Sequence, residues 1–257
     1  MSSASLKPIN LQQLRSVCES CGLHQLCLPA GIGLKAVQQL EGIVQSKRPY
    51  ERGQYLFQPG MHFHSLFVVR SGSFKTFTAS ATGELQILGF HLPGEIVGLD
   101  AINKNQHQCT AEALERSSIC EIPYEHLNQV ATEIPELHLQ LMRIVSREIG
   151  YGHEHLTMMG RKQAQERLAI FLKNMITRYT RLHRDPNLLT LSMSRYDLAN
   201  YLGLVIETIS RLFSRMQASG ILQVDRKRIT IYDLPALERL IEPPQLNPTI
   251  VQNCNIH

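Results

Sequence analysis

The sequence of 257 residues contains no tryptophan and no apolar run approaching the 18 residues that a membrane-spanning helix requires. Its N-terminal residues do not place a charged segment before an apolar one, so they do not predict a secretory signal. Charged residues make up only 19% of the chain and hydrophobic residues 43%, the composition of an ordinary soluble protein and not of a disordered one. We therefore expect a cytoplasmic protein with no membrane partner, long enough for two domains.

Cysteines are concentrated near the N-terminus. Cys18, Cys21 and Cys27 lie in the run VCESCGLHQLC, a Cys-x2-Cys-x5-Cys spacing. In a reducing compartment they are expected to be thiols or metal ligands, not disulfides. Thiolates are soft ligands that select iron–sulfur clusters, zinc or copper(I), so the triplet predicts a metal site.

A cubane iron–sulfur cluster normally takes four thiolates, so a fourth cysteine must come from elsewhere in the chain. The candidates are Cys109, Cys120 and Cys254, of which Cys254 lies in a tail that contains proline and asparagine. His24, inside the triplet, could instead complete a zinc site of the Cys3His type. The spacing alone does not separate zinc from iron–sulfur.

The segment Tyr196–Gln217 predicts two short helices joined by a tight turn. Gly203 lies where the chain must turn sharply, a conformation that a residue without Cβ adopts at low cost. Apolar residues mark one face of each helix: Leu198, Ala199 and Leu202 on the first, and Val205, Ile209, Leu212, Phe213 and Met216 on the second. This pattern is typical of a helix-turn-helix, whose second helix enters the DNA major groove.

Three polar residues, Glu207, Ser210 and Arg211, share one face of the second helix. A glutamate can accept a hydrogen bond from a cytosine amino group, and an arginine can donate to guanine O6 and N7. A serine between them can contact a base edge or a thymine methyl group. The alternative is that Glu207 and Arg211, four residues apart, form a surface ion pair. We expect this face to read DNA.

A hairpin with a basic tip is predicted directly after these helices, over Ile221–Ile231. A winged helix places such a hairpin beside the recognition helix, where cations such as Arg226 and Lys227 meet phosphates. The region from Arg161 to Pro235 holds 13 Lys and Arg against 6 Asp and Glu, whereas the rest of the chain holds 13 against 16. The basic surplus is confined to this region, which favours phosphate binding.

The central region, from about Tyr50 to Pro123, carries short alternating runs punctuated by glycine. Such runs predict an antiparallel sandwich or roll. The segment HLPGEIVGLDA within it is compatible with a phosphate-cradling loop, but it is as readily a turn between strands.

From Pro135 to Met159 the chain predicts one continuous helix. Six of its residues step 3, 4, 3, 4, 3, the a/d spacing of a two-stranded coiled coil: Met142, Val145, Ile149, Gly152, Leu156 and Met159. A parallel dimer helix fits this spacing, because DNA readers of this kind pair two recognition helices. Gly152 removes a side chain from the middle of the seam, and the alternative is a helix that packs on its own domain.

Together these residues resemble the FNR (fumarate and nitrate reduction) regulators, a branch of the family that includes the cyclic AMP receptor protein. The resemblance runs from Cys18 to about Leu240. It is most specific in the cysteine triplet and in LERSSICEIP, GFHLPGEIVGLDAI and NYLGLVIETISRLFSRMQASGIL. It implies an α+β fold with an N-terminal metal-binding segment, an antiparallel β-roll of the cyclic-nucleotide-binding type, a long dimerisation helix and a C-terminal winged helix-turn-helix.

The resemblance also implies an oxygen-labile [4Fe–4S] cluster. Its ligands by resemblance are Cys18, Cys21, Cys27 and Cys120. In such proteins the intact cluster favours a homodimer, which binds double-stranded DNA at a palindrome of the TTGAT–ATCAA kind and works with RNA polymerase. Glu207, Ser210 and Arg211 match the base-contacting positions of the family, and oxygen converts the cluster so that the DNA is released.

One stretch departs from the cyclic-nucleotide receptors of this fold. Those receptors hold the cyclic phosphate with an Arg-Ser or Arg-Thr pair, whereas the corresponding stretch here, Asn105 to Thr110 (NQHQCT), has no arginine. A phosphate would lack its charge-assisted partner, so no cyclic nucleotide is expected. The open alternatives are the same regulator responding to nitric oxide, haem or thiol oxidation, and an iron–sulfur electron carrier. No nucleotide-cofactor fingerprint or nucleophile–base arrangement predicts an enzyme.

The expected organisation has five parts. Residues 1–30 form the cysteine-rich cluster-binding segment, and 31–132 form the β-roll sensory domain. Residues 133–160 form the dimerisation helix, 161–240 the DNA-binding domain, and 241–257 a flexible tail.

Overall fold

The computed structural model describes Cys18 and residues 21–241. The tail predicted over 241–257, with Cys254, lies outside the described residues except for its first residue. The chain divides into two units, Met1–Glu154 and His155–His257. This division falls inside a long helix, Pro135–Arg161.

The described residues of the first unit form two helices, the start of a third, and eight strands. In chain order these are α1 (Leu34–Ile43), β1 (Gln45–Ser46), β2 (Tyr55–Phe57), β3 (Ser65–Ser71), β4 (Phe74–Ala79), β5 (Leu85–His91), β6 (Ile96–Val97), β7 (Thr110–Ala113), β8 (Ser118–Pro123), α2 (Tyr124–Glu133) and α3 (Pro135–Arg161). A short 3-10 helix, Leu99–Ala101, follows β6.

The eight strands form two antiparallel four-stranded sheets. One sheet has the order β1-β8-β3-β6 and the other β2-β7-β4-β5. A buried cluster that includes Phe57, Val69, Phe74 and Ile119 lies between them. The predicted antiparallel roll is therefore confirmed.

A second apolar cluster covers the outer face of the sheet that contains β8. It joins α1, α2 and the start of α3 to that sheet through residues such as Leu40, Leu127 and Leu137. Side chains alternate along β8 because successive Cβ atoms of a strand point to opposite faces. Ile119 thus belongs to the cluster between the sheets, whereas Cys120 and Ile122 pack in the outer cluster.

The second unit contains the end of α3 and a winged helix-turn-helix. Its further elements are α4 (Ala164–Arg181), β9 (Leu188–Thr190), α5 (Arg195–Tyr201), α6 (Ile206–Ala218), β10 (Leu222–Asp225), β11 (Arg228–Ile231) and α7 (Leu234–Arg239). Strands β10 and β11 form the predicted hairpin, and β9 pairs with β11 at its other edge. The predicted winged helix-turn-helix is confirmed.

Helices α4 and α5 begin at capping boxes. In α4, Gln163 and Glu166 bond each other's backbone N–H groups reciprocally. In α5, Ser194 and Asp197 do the same, with Asp197 N donating to Ser194 Oγ over 3.0 Å. Each capping box supplies side-chain acceptors for backbone N–H groups that have no partner at the start of a helix.

None of the helices in the described part of the chain has the length and apolar character needed to cross a membrane.

Candidate functional site

The cysteine triplet lies on a chain of short turns before α1. His24 N donates to Cys21 O over 2.9 Å, and Cys27 N donates to Leu23 O over 3.1 Å. The ring Nδ1 of His24 donates to Cys18 O over 3.3 Å, which closes the segment on itself. The turns hold three half-buried thiols, those of Cys18, Cys21 and Cys27, within one compact loop.

The fourth thiol at this loop is that of Cys120 on β8. In the sheet, Cys120 lies opposite Val68 of β3 and opposite Ser46 of β1. All four cysteines line one pocket that contains about 500 Å³ of space, part of it open to solvent. The structure therefore brings together the four residues of the predicted ligand set.

The remaining candidates of the sequence analysis differ in position. Cys109 is buried in the cluster between the sheets, where its Sγ donates to Asp100 Oδ2 over 3.5 Å. Cys254 lies outside the described residues. His24 lines the pocket, and its Nδ1 already serves the backbone of Cys18.

Burial and mutual repulsion disfavour thiolates in this pocket. Burial, followed by the charges of Cys120, Glu41 and Cys21, raises the pKa of Cys18 to about 12, while Arg70 lowers it in part. Burial also raises the pKa of Cys27, and the neighbouring thiols add to the rise. A cationic metal group would offset both effects, because thiolates are the ligand form and binding releases their protons.

The pocket is otherwise mostly apolar. Leu28, Leu40, Val68 and Ile122 line it beside the cysteines. Among the described residues, no three His, Cys, Asp or Glu side chains stand close enough together to hold one metal ion.

The helix-turn-helix is formed by α5 and α6. The chain turns at Gly203 with φ of 61°, where an added Cβ would lie 2.4 Å from Met159 Cε. Residues on the inner face of α6 are buried as predicted: Ile209, Leu212, Phe213 and Met216. The prediction for Val205 was wrong, because Val205 is the N-cap of α6 and is 61% exposed.

The predicted base-reading residues are all exposed on α6. Ser210 Oγ donates to Ile206 O over 3.0 Å, and Arg211 Nε donates to Glu207 O over 3.3 Å. Arg211 thus bonds to the backbone of Glu207 and, within the described residues, forms no ion pair with its carboxylate. The other guanidinium nitrogens of Arg211 donate to no acceptor among the described residues, so they are available to a ligand.

The wing places Arg226 and Lys227 at the tip between β10 and β11, both exposed. Arg226 has φ of 54°, a backbone conformation that residues other than glycine rarely adopt. Lys227 Nζ donates to Ser192 O over 2.8 Å, so its cation is held at the surface by the loop before α5.

The predicted dimer seam on α3 is largely exposed to solvent in the single chain. Gly152 is exposed and Val145 is half-buried. Four large apolar residues of α3 are exposed: Leu139 54%, Met142 49%, Ile149 54% and Leu156 69%. Leu139 was missed because the alternating spacing of 3 and 4, continued backwards from Met142, reaches His138 and not Leu139.

Met159 does not belong with these exposed residues. It is half-buried, its Cε lies against Gly203, and its Sδ is 3.8 Å from Arg167 Nη1. An α-helix drifts by about 20° per heptad from a 3.5-residue repeat, so a stripe that starts at Met142 has rotated by Met159. The place of Met159 in the dimer seam stays a prediction, since the structure contains one chain.

The stretch Asn105–Thr110 is centred on a buried histidine and a carboxylate. His107 is buried and stacks on Phe57, with ring centroids 3.6 Å apart. Asp100 Oδ2 accepts from Gln108 N over 2.7 Å, and Asp100 Oδ1 lies 3.5 Å from His107 Nδ1. Although burial opposes it, these hydrogen bonds and His107 lower the pKa of Asp100. The half-buried Asp100 carboxylate thus contacts this stretch as an anion.

Two domain families match the chain. Residues 47–133 match the cyclic nucleotide-binding domain, and residues 166–240 match the Crp-like helix-turn-helix domain. The first match spans the β-roll and the second spans the winged helix-turn-helix.

Several curated proteins are similar over most of the chain. The transcriptional activator protein Anr of Pseudomonas protegens is 43% identical over 216 residues, 84% of this chain and 88% of that protein. The fumarate and nitrate reduction regulatory protein of Escherichia coli K12 is 42% identical over 223 residues, 87% of this chain and 89% of that protein. The corresponding Vibrio cholerae protein is 44% identical over 223 residues, with 87% and 89% covered.

Among solved structures, FixK2 from Bradyrhizobium japonicum is similar with a TM-score of 0.71 and 27% sequence identity. The match covers 78% of this chain and 99% of FixK2.

Proposed function

Because the chain belongs to the FNR-type branch of the cyclic AMP receptor protein family, and is thus a bacterial transcription regulator of anaerobic gene expression, we propose that it senses oxygen through a [4Fe–4S] cluster. The proposed ligands are Cys18, Cys21, Cys27 and Cys120. Four thiols from two distant parts of the chain line one mostly apolar pocket, and this observation carries the proposal.

The number of thiols supports a cubane cluster, because each of its four irons binds one thiolate and four cysteines line the pocket.

The chain's own residues supply the coupling. Cys120 is fixed on β8 by pairing with β3 and β1, whereas the other three ligands lie on the loop before α1. A group that binds all four thiolates joins this loop to the sheet that supports α2 and the start of α3. When bound, the cluster supplies an oxygen-reactive iron–sulfur centre. Loss of it frees the loop from Cys120.

The proposed output is DNA binding by a homodimer. We propose that two chains pair along α3 through six residues: Met142, Val145, Ile149, Gly152, Leu156 and Met159. Each α6 then reads a half-site of a TTGAT–ATCAA-like palindrome with Glu207, Ser210 and Arg211, while Arg226 and Lys227 contact phosphates. RNA polymerase is the proposed protein partner, and the proposed location is the cytoplasm.

A cyclic nucleotide is not part of the proposal. The stretch that holds the cyclic phosphate in nucleotide-binding members has no arginine here, and its Gln108 N–H donates to the Asp100 carboxylate. A second anion beside Asp100 would be repelled and would lack a bidentate partner.

Protein purified without air tests the sensing proposal. We expect a broad brown absorbance with about four irons per chain, which bleaches in air. Cys120→Ala should abolish it, and Cys109→Ala should retain it, because Cys109 lies in a different core cluster. Colourless anaerobic protein carrying one zinc would reject the cluster. Full DNA affinity of cluster-free protein would favour a regulator with another signal, such as nitric oxide, haem or thiol oxidation.

A further inference from the structure

The guanidinium group of Arg167, in the first turn of α4, donates to three backbone carbonyl groups. Nη2 donates to Met159 O over 2.8 Å, and Nε donates to Lys162 O over 2.8 Å. Nη1 donates to Leu202 O over 3.1 Å. Met159 lies in the last turn of α3, Lys162 directly follows that helix, and Leu202 is the C-cap of α5.

One cation therefore serves the carboxyl ends of two helices. The last carbonyl groups of a helix lack partners within the helix and carry partial negative charge. The guanidinium plane presents its donors in a fixed fork, so three bonds to separate acceptors set the geometry of those acceptors. Arg167 thus fixes the end of α3 relative to the end of α5.

Two further contacts join the same segments. An added Cβ at Gly203 would lie 2.4 Å from Met159 Cε, so the end of the Met159 side chain occupies the space beside the turn. One turn earlier, His155 stacks on Tyr201, the last residue of α5, with ring centroids 4.3 Å apart. The final two turns of α3 thus contact the turn that positions α6.

We infer that Arg167 is a positioning residue that carries the state of the dimerisation helix to the recognition helix. The three hydrogen bonds of Arg167 join the end of α3 to the turn at Gly203. A change in the position or direction of the end of α3 must therefore move this turn. Loss of these bonds leaves α6 folded, and its orientation then depends only on the contacts of Met159 and His155. The inference rests on the proposed function, in which the cluster state controls α3.

The decisive readout is the ratio of DNA affinities of the cluster-loaded and cluster-free protein, measured without air on the full chain. Allosteric coupling typically gives a ratio of about 5 to 150, and we expect the wild-type protein to fall in this range. Arg167→Gln should reduce the ratio towards one, while the cluster absorbance and the dimer content of the loaded protein stay unchanged. Arg167→Lys keeps the charge but not the fork, so its ratio should lie between the two.

The control is Arg184→Gln, which makes the same change of charge in the same unit. Arg184 stacks over the ring of Tyr179 at 5.3 Å, and its substitution should leave the ratio unchanged. If Arg167→Gln lowers both affinities in parallel and keeps the ratio, Arg167 is only a structural cap and the inference is wrong. If Arg167→Gln does not fold, the same ratio of DNA affinities is measured for Arg167→Lys, and a ratio equal to that of the wild type rejects the inference. A wild-type ratio of one would instead reject the proposed control by the cluster.

Discussion

Leu26, on the cysteine loop, packs directly on Gly94 in the turn before β6. An added Cβ at Gly94 would lie 3.0 Å from Leu26 Cβ, and Gly94 has φ of 88°. Gly94 N donates to Val69 O over 2.8 Å, which ties this turn to β3 of the sheet that holds Cys120. The contact therefore holds the residue before Cys27 against the β-roll.

Gly94→Ala should lower cluster occupancy. Alanine with positive φ costs about 1–2 kcal/mol of stability, and its Cβ also displaces the loop that carries three ligands. Gly83→Ala is a matched control, because Gly83 has φ of 83° and an added Cβ there meets no atom within 4 Å. We expect similar losses in thermal stability for both variants but a lower iron content only for Gly94→Ala. Equal iron content in the two variants would contradict a role for the contact.

Arg211 and Arg226 should affect DNA binding in different ways. Arg211→Ala should cost about 1–3 kcal/mol on the preferred site and relax the preference at one base pair, because it removes a base contact. Arg226→Ala should weaken binding to all sequences alike and reduce the salt slope by about one, because it removes a phosphate contact. Titration of single-base variants of the site at several salt concentrations separates the two. A uniform loss from Arg211→Ala would mean that Arg211 contacts a phosphate.

Much of the second unit could be predicted from local sequence patterns. Buried residues recur along α6 from Ile209 to Met216 with helical spacing, and the turn needs Gly203 for its positive φ. The prediction that Val205 is buried was wrong because the apolar spacing includes one residue that precedes the first residue of α6. The exposure of an N-cap side chain depends on the backbone path of the preceding turn. The spacing of apolar residues gives no information on this path.

The ligand set could not be completed from spacing alone. Cys109 and Cys120 are both cysteines of the central region, and only the resemblance to a family selected Cys120. In the structure the two cysteines lie in different clusters, since Cys120 packs against the outer cluster and Cys109 lies in the cluster between the sheets. Arg167 was missed because its partners are backbone carbonyl groups, one of them 35 residues away, which leave no side-chain pattern.

Gly152→Ala should stabilise the dimer in cluster-free protein. An added Cβ at Gly152 meets no atom within 4 Å in the single chain, so alanine fits. It should add about 1 kcal/mol of helix stability and supply a side chain to the seam between two chains.

Gly150→Ala is the control for helix propensity alone. Gly150 lies on the same helix, an added Cβ there also meets no atom within 4 Å, and it is not a seam position. Sedimentation equilibrium of cluster-free protein should show a higher dimer fraction for Gly152→Ala than for Gly150→Ala. Equal dimer fractions would indicate that Gly152 does not lie in the interface.

His155 should make the stability of the second unit depend on pH. Burial, together with Arg167, lowers the pKa of His155 below 6.5. Its Nδ1 is buried and has no hydrogen-bond partner within the described residues. As pH falls through 6.5, the unfolded chain takes up a proton that the folded unit resists, so the free energy of unfolding decreases. The loss ends once the pH is below the pKa of the folded state.

His155→Phe should remove this dependence while it keeps an aromatic ring stacked on Tyr201. Thermal unfolding of cluster-free protein at about pH 7.5 and about pH 5.5 measures the effect. His153→Phe, at an exposed position of the same helix, should retain the wild-type dependence. Asp100 does not affect this comparison. Its pKa lies below 3.8, so its contribution to the pH dependence of stability falls at lower pH than the range measured. An unchanged pH dependence in His155→Phe would mean that His155 can be protonated in the folded unit without loss of its contact with Tyr201.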